Sequence, residues 1–574
     1  MRVIMPHRHV LLAVILTALV GEMSVAQVSV DPRHQALVIL LRELAPGVEQ
    51  QLESQPPKCS MHILAQACSH WDALSLQAKE ALAVSSFRPA RQTSRLSPSG
   101  HFRIHYDTTG VNQPALLTAG GVQIPNSYEA FVDSALAVFD YCWDVEVNQL
   151  GYDPPPSDGT QGGGPEYDVY LGSRPTNDFG ITWFDDADIM AQGALGRDTT
   201  YMEIDNDFAG FRTPGLDGLK VTAAHEFFHA IQVGRYGIWT TVPNSDLYFY
   251  ELSAVWMEHV LYKDIRDYLF DVPKFFLSFR DFQRRSYSFT TYSTFLAGYE
   301  RSVFAHFLAK RFGGNMMHDI WTAMREQPFL ESLRTILLAR GTDLPNEFAK
   351  FYYWNFYTAD RADTTHYYPE GNLYPRMAPN LSVDYTGFST GVSLQSYPLS
   401  GAFIEFHLGA DSVTSVVVNV DAVAARIDNG SARSFDLRMA GGEQGGAIQT
   451  LADNVQVSFT GQPSTAWRIL YFSGNSRTDA GVKTAPSPNP LRLSDATPLL
   501  LPLQNDPSPD ADVSFLSSSL NLSYSGKFPV TEAFGKRVVS IPVQQLRGDL
   551  ASGVYFVIAR TQQSEHQWKI LVLQ

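Results

Sequence analysis

Two spacings of apolar residues alternate along the chain and predict where helices and strands form. Helical spacing marks parts of 35–84, the whole of 127–149 and much of 221–338. Alternation of apolar and polar residues marks strands at 101–106, 167–171 and 200–204. From about residue 380, short alternating runs separated by Gly, Asn and Ser predict further β-structure. The pattern predicts a multidomain chain in which an α+β domain precedes two small β-sandwich domains.

Changes in this pattern, together with a length of 574 residues, divide the chain into several domains with enough apolar residues for separate cores. The predicted segments are a signal peptide at 1–26, a helical N-terminal segment or propeptide at 27–95, the α+β domain at 96–378, a β-sandwich accessory domain at 379–480, a Pro-rich linker at 481–490 and a C-terminal β-sandwich at 491–574. Residues 27–95 fit a removable propeptide or an ordinary N-terminal subdomain, and the sequence leaves both open.

One predicted helix carries metal-binding chemistry. Residues 221–233 read V-T-A-A-H-E-F-F-H-A-I-Q-V, without Pro or Gly, and contain the H-E-x-x-H arrangement at 225–229. Residues four apart lie on one face of a helix, so His225 and His229 can bind one zinc ion. Glu226 lies beside them, where its carboxylate can act as a general base on water.

A second predicted helix, Y-E-L-S-A-V-W-M-E at 250–258, supplies a third ligand. Glu251 follows His229 by 22 residues, which leaves room for a loop and a returning helix. Two His and one Glu leave a fourth position open, as a catalytic zinc site requires. Glu258 falls on the same face as Glu251 and could orient a ligand His, although a solvated helix face explains it equally well.

The two motifs together resemble a known family. H-E-F-F-H-A-I-Q followed by E-L-S-A-V-W-M-E is similar to the glutamate-type zincin metallopeptidases, in particular the secreted bacterial MXAN-type metalloprotease family. In that family the second motif is E-G-T-A-x-W-x-E, whose first Glu is taken as the third zinc ligand; here Leu252-Ser253 replaces Gly-Thr. The resemblance runs from about 102 to 375 and implies a zincin-like fold for 96–378.

The C-terminal region carries a second resemblance. Pro-Asn-Pro at 488–490, S-G-V-Y-F-V-I at 552–558 and the closing K-I-L-V-L resemble the C-terminal sorting domains of type IX secretion cargo. The resemblance implies that secretion machinery is a partner of the chain. A plain immunoglobulin-like module is the alternative for 491–574.

The first 26 residues predict export. Arg2 and Arg8 precede an apolar run at 10–20, and Ser24-Val25-Ala26 places small residues before a cleavage point. The run is short for a membrane span, so we expect a mature chain without a transmembrane helix, secreted or held at the cell surface. A net charge of −16 argues against a nucleic-acid partner, which would favour a basic face.

Three cysteines occur, at Cys59, Cys68 and Cys142. Export makes a Cys59–Cys68 disulfide plausible, closing a short loop in the N-terminal segment. Cys142 would then remain as a buried apolar residue in a helix. Because no CxxC pair occurs, we do not expect cysteine to bind zinc.

Some further side chains are weaker candidates. Asp185-Asp186-Ala187-Asp188 and Asp205-Asn206-Asp207 offer clustered oxygen ligands for Ca²⁺, although solvated loop carboxylates explain them as well. Tyr287 and Tyr292 lie where the resemblance to zincins implies a side chain that stabilises the oxyanion, although core tyrosines are also common there.

These observations predict a secreted zinc-dependent metalloendopeptidase with one zinc per chain and a protein or peptide substrate. Two alternatives remain open: a surface adhesin or scaffold on a zincin fold, and a zinc amidase that acts on a non-protein substrate. Serine hydrolase chemistry is disfavoured because the sequence contains no G-x-S-x-G motif.

Overall fold

The computed structural model describes most of the chain before residue 386 and the strands that follow. The described residues are 32–44, 58–83, 87–174, 178–191, 195–239, 246–277, 287–288, 298–385, 400–408, 412–416, 433–441, 449–451, 456–460, 468–476, 486, 488–494, 498–503, 506–517, 521–533 and 536–574. The predicted signal peptide and Tyr292 lie outside these ranges.

The described α-helices precede residue 357. They are α1 (Pro32–Leu44), α2 (Met61–Ser69), α3 (Leu76–Ala83), α4 (Tyr128–Trp143), α5 (Ala187–Ala191), α6 (Gly215–Ile231), α7 (Leu247–Leu261), α8 (Val272–Leu277), α9 (Ser302–Phe312), α10 (Asn315–Ala323), α11 (Phe329–Ala339) and α12 (Leu344–Phe356). A π-helical turn, Gln232–Tyr236, continues α6 beyond its last residue.

The strands form one group before residue 290 and another after residue 380. The first group is β1 (Thr93–Leu96), β2 (Phe102–Tyr106), β3 (Tyr167–Gly172), β4 (Gly180–Phe184), β5 (Leu195–Gly196), β6 (Thr200–Asp205), β7 (Ile238–Trp239) and β8 (Tyr287–Ser288). The second is β9 (Leu381–Tyr385), β10 (Ser400–Leu408), β11 (Ser412–Val416), β12 (Arg433–Gly441), β13 (Gln449–Leu451), β14 (Gln456–Thr460), β15 (Arg468–Ser476), β16 (Leu491–Arg492), β17 (Leu499–Pro502), β18 (Asp510–Ser517), β19 (Leu522–Ala533), β20 (Lys536–Ile541), β21 (Gly553–Arg560) and β22 (Glu565–Leu573).

A five-stranded sheet with the order β1-β2-β3-β6-β4 supports the motif helix. Strands β2, β3 and β6 run parallel, whereas β4 is antiparallel to β6 and forms one edge. Helix α6 packs against β4, β6 and α4. The sequence pattern predicts β2, β3 and β6 but not β4, whose five residues are all buried.

One hydrophobic cluster extends from Leu37 to Phe403 and includes the N-terminal helices together with the α+β domain. Every residue of α2 from Met61 to Cys68 is buried. The N-terminal segment therefore shares a core with the residues around α6, and the chain just before α2 lies inside the molecule. Cys142 is buried in α4, as the sequence predicts.

The C-terminal strands form two further large sheets. The first has the order β13-β12-β15-β10-β8, with β9 paired to β10. The second has seven strands in the order β16-β22-β21-β18-β19-β20-β17 and its own hydrophobic cluster. Its two end strands are successive in the chain, so this domain is a single, nearly barrel-like sheet where the sequence predicts a sandwich. Among the described residues, no helix has the length and apolarity to cross a membrane.

Candidate metal centre

Helices α6 and α7 bring the two motifs together. His225 and His229 lie one turn apart on α6, and their Nε2 atoms are 3.0 Å from each other. Oε2 of Glu251, on α7, lies 3.2 Å from His225 Nε2 and 3.3 Å from His229 Nε2. All three side chains are buried. Aromatic packing fixes α6: Phe227 contacts Phe102 and is fully buried, which contributes about 1.5–3 kcal/mol.

The hydrogen bonds behind the imidazoles determine which ring nitrogens carry protons. His225 Nδ1 donates to Oε1 of Glu258 at 2.7 Å, and His229 Nδ1 donates to Oε1 of Gln232 at 2.7 Å. The amide nitrogen of Gln232 is committed as a donor to the carbonyl oxygen of Tyr250 at 3.1 Å, so its oxygen must accept. In the neutral rings the lone pairs of both Nε2 atoms and those of the Glu251 carboxylate then point toward the same space.

Lone pairs converging at this distance repel each other unless a cation lies between them, so the donor set fits a metal ion. Two imidazoles and a carboxylate suit zinc. The pKa values agree with this reading. Burial alone would lower the pKa of His225, but its hydrogen bonds to Glu251 and Glu258 raise it to about 9. Burial opposes ionisation of Glu251, yet the two imidazoles hold its pKa well below its usual range. The centre thus favours positive charge.

Glu226 lies beside the ligands and is held by the edge strand. The hydroxyl of Thr182, on β4, lies 2.8 Å from Glu226 Oε2 and 2.9 Å from the main-chain oxygen of the same residue. Both residues are buried. Thr182 therefore fixes the orientation of a carboxylate that is a neighbour of the metal ligands and not one of them.

A fourth candidate ligand comes from the N-terminal segment. The Sγ atom of Cys59 and one ligand atom each from His225, His229 and Glu251 all lie within 4.8 Å of one another. Burial, and then the carboxylates of Glu226 and Glu251, raise the pKa of the Cys59 thiol well above its usual value. The expectation that no cysteine takes part in metal binding is therefore not what the structure favours.

The predicted Cys59–Cys68 disulfide is wrong, because no disulfide bond joins the two residues. Cys59 precedes α2 and Cys68 lies near its end, so about 10 Å of helix, at 1.5 Å per residue, lies between them. A disulfide requires Cα atoms within about 7 Å. The thiol of Cys68 instead contacts the carbonyl oxygen of Ala187.

Lys58 connects the N-terminal segment to the support of the metal centre. Its Nζ atom donates to Glu258 Oε2 at 2.5 Å and to Asp267 Oδ2 at 2.6 Å, with all three side chains buried. Glu258 thus accepts from Lys58 on one oxygen and from His225 on the other. Burial opposes ionisation of Asp267, but Lys58 and Arg212 outweigh it and hold its pKa far below its usual range. The orienting role predicted for Glu258 matches its position, which is not a solvated helix face.

Tyr299 supplies a hydroxyl that the sequence reasoning missed. Its Oη accepts from the Cys59 main-chain N–H at 2.8 Å and donates to the Cys59 carbonyl oxygen at 2.8 Å. The ring lies 6.0 Å from that of His225. Gly298 positions it with a φ of +98°, where an added Cβ would lie 2.7 Å from the Tyr248 backbone. Tyr287 lies in β8, which pairs with β10, and Tyr292 is outside the described residues.

The acidic runs considered for Ca²⁺ are engaged in other contacts. Asp205 accepts hydrogen bonds from the backbone N–H groups of Asp207 and Arg174. Asp207 accepts from the backbone N–H of Ala209, and Asp185 pairs with Arg88. Within the described ranges, the group of Cys59, His225, His229 and Glu251 is the one cluster placed to hold a metal ion.

Comparisons with known proteins do not assign the chain to a family. No protein-family model matches the chain, and no curated protein matches it.

Proposed function

We propose that the chain is an exported zinc-dependent endopeptidase of the zincin class, with His225, His229 and Glu251 as ligands. The observation that carries the proposal is a buried group of three atoms, Nε2 of His225, Nε2 of His229 and Oε2 of Glu251, which lie 3.0–3.3 Å from one another. Beside them lies the Glu226 carboxylate, which Thr182 orients. A purely structural metal site would not require the Glu226 carboxylate, which is not one of the proposed ligands. The proposed export rests on the sequence of residues 1–26.

Each side chain has a proposed role. Zinc, when bound, would supply Lewis acidity and lower the pKa of a bound water to about 7. Glu226 accepts the proton of the attacking water and then delivers it to the leaving amine. Thr182 keeps the Glu226 carboxylate in place, and the Glu258 and Gln232 side chains hold both ligand imidazoles with Nε2 facing inward.

Tyr299 is the proposed oxyanion donor. Its hydroxyl donates at 2.8 Å to a main-chain carbonyl, that of Cys59, immediately beside the metal centre. A substrate carbonyl at this position would receive the same hydrogen bond, and the bond would strengthen as negative charge develops on the oxygen. This assignment replaces Tyr287 and Tyr292 in the role.

A peptide substrate is favoured over a non-peptide amide by the edge strand. The N–H of Phe179, just before β4, donates to the carbonyl oxygen of Lys58 at 3.0 Å, and Cys59 pairs with Gly180. The edge of the sheet therefore already binds an extended main chain next to the metal centre. Strand addition of this kind recognises peptide backbones.

The test compares Glu226→Gln with the matched control Glu347→Gln, which changes a buried carboxylate on α12. Because Cys59 lies where a substrate would bind, each variant is assayed in the natural chain and in a Cys59→Ala background. We expect Glu226→Gln to retain zinc and to lose about 10²–10⁴-fold in cleavage of an unfolded protein substrate. Cleavage by Glu226→Gln at the rate of its parent would exclude the proposed role.

A further inference from the structure

Residues 58–62, here named the blocking segment, enter the metal centre from the N-terminal side. We propose that this segment keeps the enzyme latent: the Cys59 thiolate takes the fourth metal position, and the centre opens to water and substrate when the segment leaves. This inference rests on the proposed function, since it describes regulation of the same site.

The main chain of the segment occupies the place of a peptide. Its carbonyl oxygen at Lys58 accepts from Phe179, Cys59 forms a parallel bridge with Gly180, and both main-chain polar groups of Cys59 bond to Tyr299. These are the groups on the edge strand and on Tyr299 that a substrate would need. A substrate therefore competes with the blocking segment for the same hydrogen bonds.

The side chain of Cys59 completes the closure. Its sulfur is fully buried, lies within the set of ligand atoms and accepts from the N–H of Met61 at 3.3 Å. Four protein ligands close a zinc site, whereas a catalytic site keeps one position open. On release the thiolate regains a proton from water, and a water molecule takes the vacated position.

Two other members of the segment contact the same centre. Lys58 bonds to Glu258, whose second oxygen orients His225. His62 is buried, and its Nδ1 lies 3.4 Å from Oε1 of Glu251, whereas its Nε2 has no hydrogen-bond partner among the described residues. The segment thus contacts the centre through the side chains of Lys58, Cys59 and His62.

A permanently structural site would not explain the neighbouring groups. Glu226 accepts a hydrogen bond from the Thr182 hydroxyl on the edge strand and does not belong to the group of four possible metal ligands. The Tyr299 hydroxyl contacts the main chain of the blocking segment and no metal ligand of α6 or α7. Both features suit a catalytic centre that is covered.

The first test reads the metal directly. In the cobalt-substituted chain we expect a thiolate-to-cobalt charge-transfer band, lost in Cys59→Ala and retained in Cys142→Ala, the matched control for a buried cysteine outside the centre. In a Cys68→Ala/Cys142→Ala chain, where Cys59 is the sole thiol, alkylation should be blocked by zinc and restored by a chelator. This second measurement stands even if Cys59→Ala fails to fold.

The second test reads the gating. We expect Cys59→Ala to keep zinc and to cleave an unfolded protein substrate at least about tenfold faster than the natural chain, with Cys142→Ala unchanged. Absence of the cobalt–thiolate band, or no gain in cleavage, would overturn latency, while cleavage that depends on Glu226 would leave the proposed function standing. Loss of zinc from Cys59→Ala would make Cys59 a permanent structural ligand and overturn both.

Discussion

Glu258→Gln should weaken zinc binding, although it replaces one atom and keeps the shape of the side chain. In the natural chain the two carboxylate oxygens accept from two donors, His225 Nδ1 at 2.7 Å and Lys58 Nζ at 2.5 Å. Glutamine offers one oxygen and one NH₂ group, so it cannot accept from both. Because Lys58 is always a donor, the amide oxygen turns toward Lys58 and the NH₂ group faces His225.

The consequence falls on the imidazole tautomer. With an NH₂ group opposite, Nδ1 of His225 must become the acceptor, and the proton moves to Nε2, which then cannot bind metal. Loss of the partner that orients a ligand His costs about 10–100-fold in metal affinity, which is about 1.4–2.8 kcal/mol. We expect the upper end of that range, since the site is buried and water cannot replace the lost acceptor.

The assay is competition for zinc with a chromophoric chelator at fixed pH. Asp267→Asn is the matched control, because it alters the other partner of Lys58 without touching His225. The double variant Lys58→Met/Glu258→Gln should recover most of the affinity, since the amide oxygen is then free to accept from His225. A Glu258→Gln protein with the natural zinc affinity, or a double variant as weak as the single one, would refute the tautomer argument.

Three other outcomes are expected. In the Cys59→Ala background, Tyr299→Phe should lower kcat about 10²–10³-fold with zinc content unchanged; an unchanged kcat would exclude the oxyanion role. Burial opposes protonation of His225, but its carboxylate partners raise its pKa to about 9, so protons compete with zinc below that pH. The zinc affinity should therefore fall about tenfold per pH unit from pH 9 to pH 7. A zinc affinity that does not change over this range would contradict the prediction. The cationic partners of buried Asp267 lower its pKa, so its contribution to the free energy of unfolding is present above about pH 4 and is lost as the pH falls below that. In urea unfolding, the free energy of unfolding of Asp267→Asn should therefore decrease less in acid than that of the natural chain.

Local periodicity was enough to predict the central part of the site. His225, Glu226 and His229 are related by the turn of one helix, and Glu251 and Glu258 by two turns of another, so the placement within each helix follows from helical geometry. Gln232 could have been found in the same way, since it follows His229 by three residues. The strands β2, β3 and β6 could also be predicted locally, because each shows its own alternation of apolar and polar residues.

Other predictions failed because they depended on contacts that no local pattern encodes. The disulfide was inferred from the presence of two cysteines in a chain predicted to be exported, and the helix between them keeps them apart. The edge strand β4 has only five residues, and its place at the edge of the sheet is set by its pairing with β6. Tyr299 was missed since aromatic residues fill this region and one hydroxyl cannot be singled out from spacing.

The sequence by itself determined the spacing of His225, Glu226 and His229 on one helix and of Glu251 and Glu258 on another, because helical geometry places side chains of one helix without knowledge of the rest of the fold. Only the tertiary structure decided what surrounds them. Cys59 meets Tyr299 across 240 positions of sequence, and Lys58 meets Glu258 across 200. Contacts at such separations arise when the core of the N-terminal helices merges with that of α6 and α7, a packing that buries apolar surface and is specified by the whole chain at once.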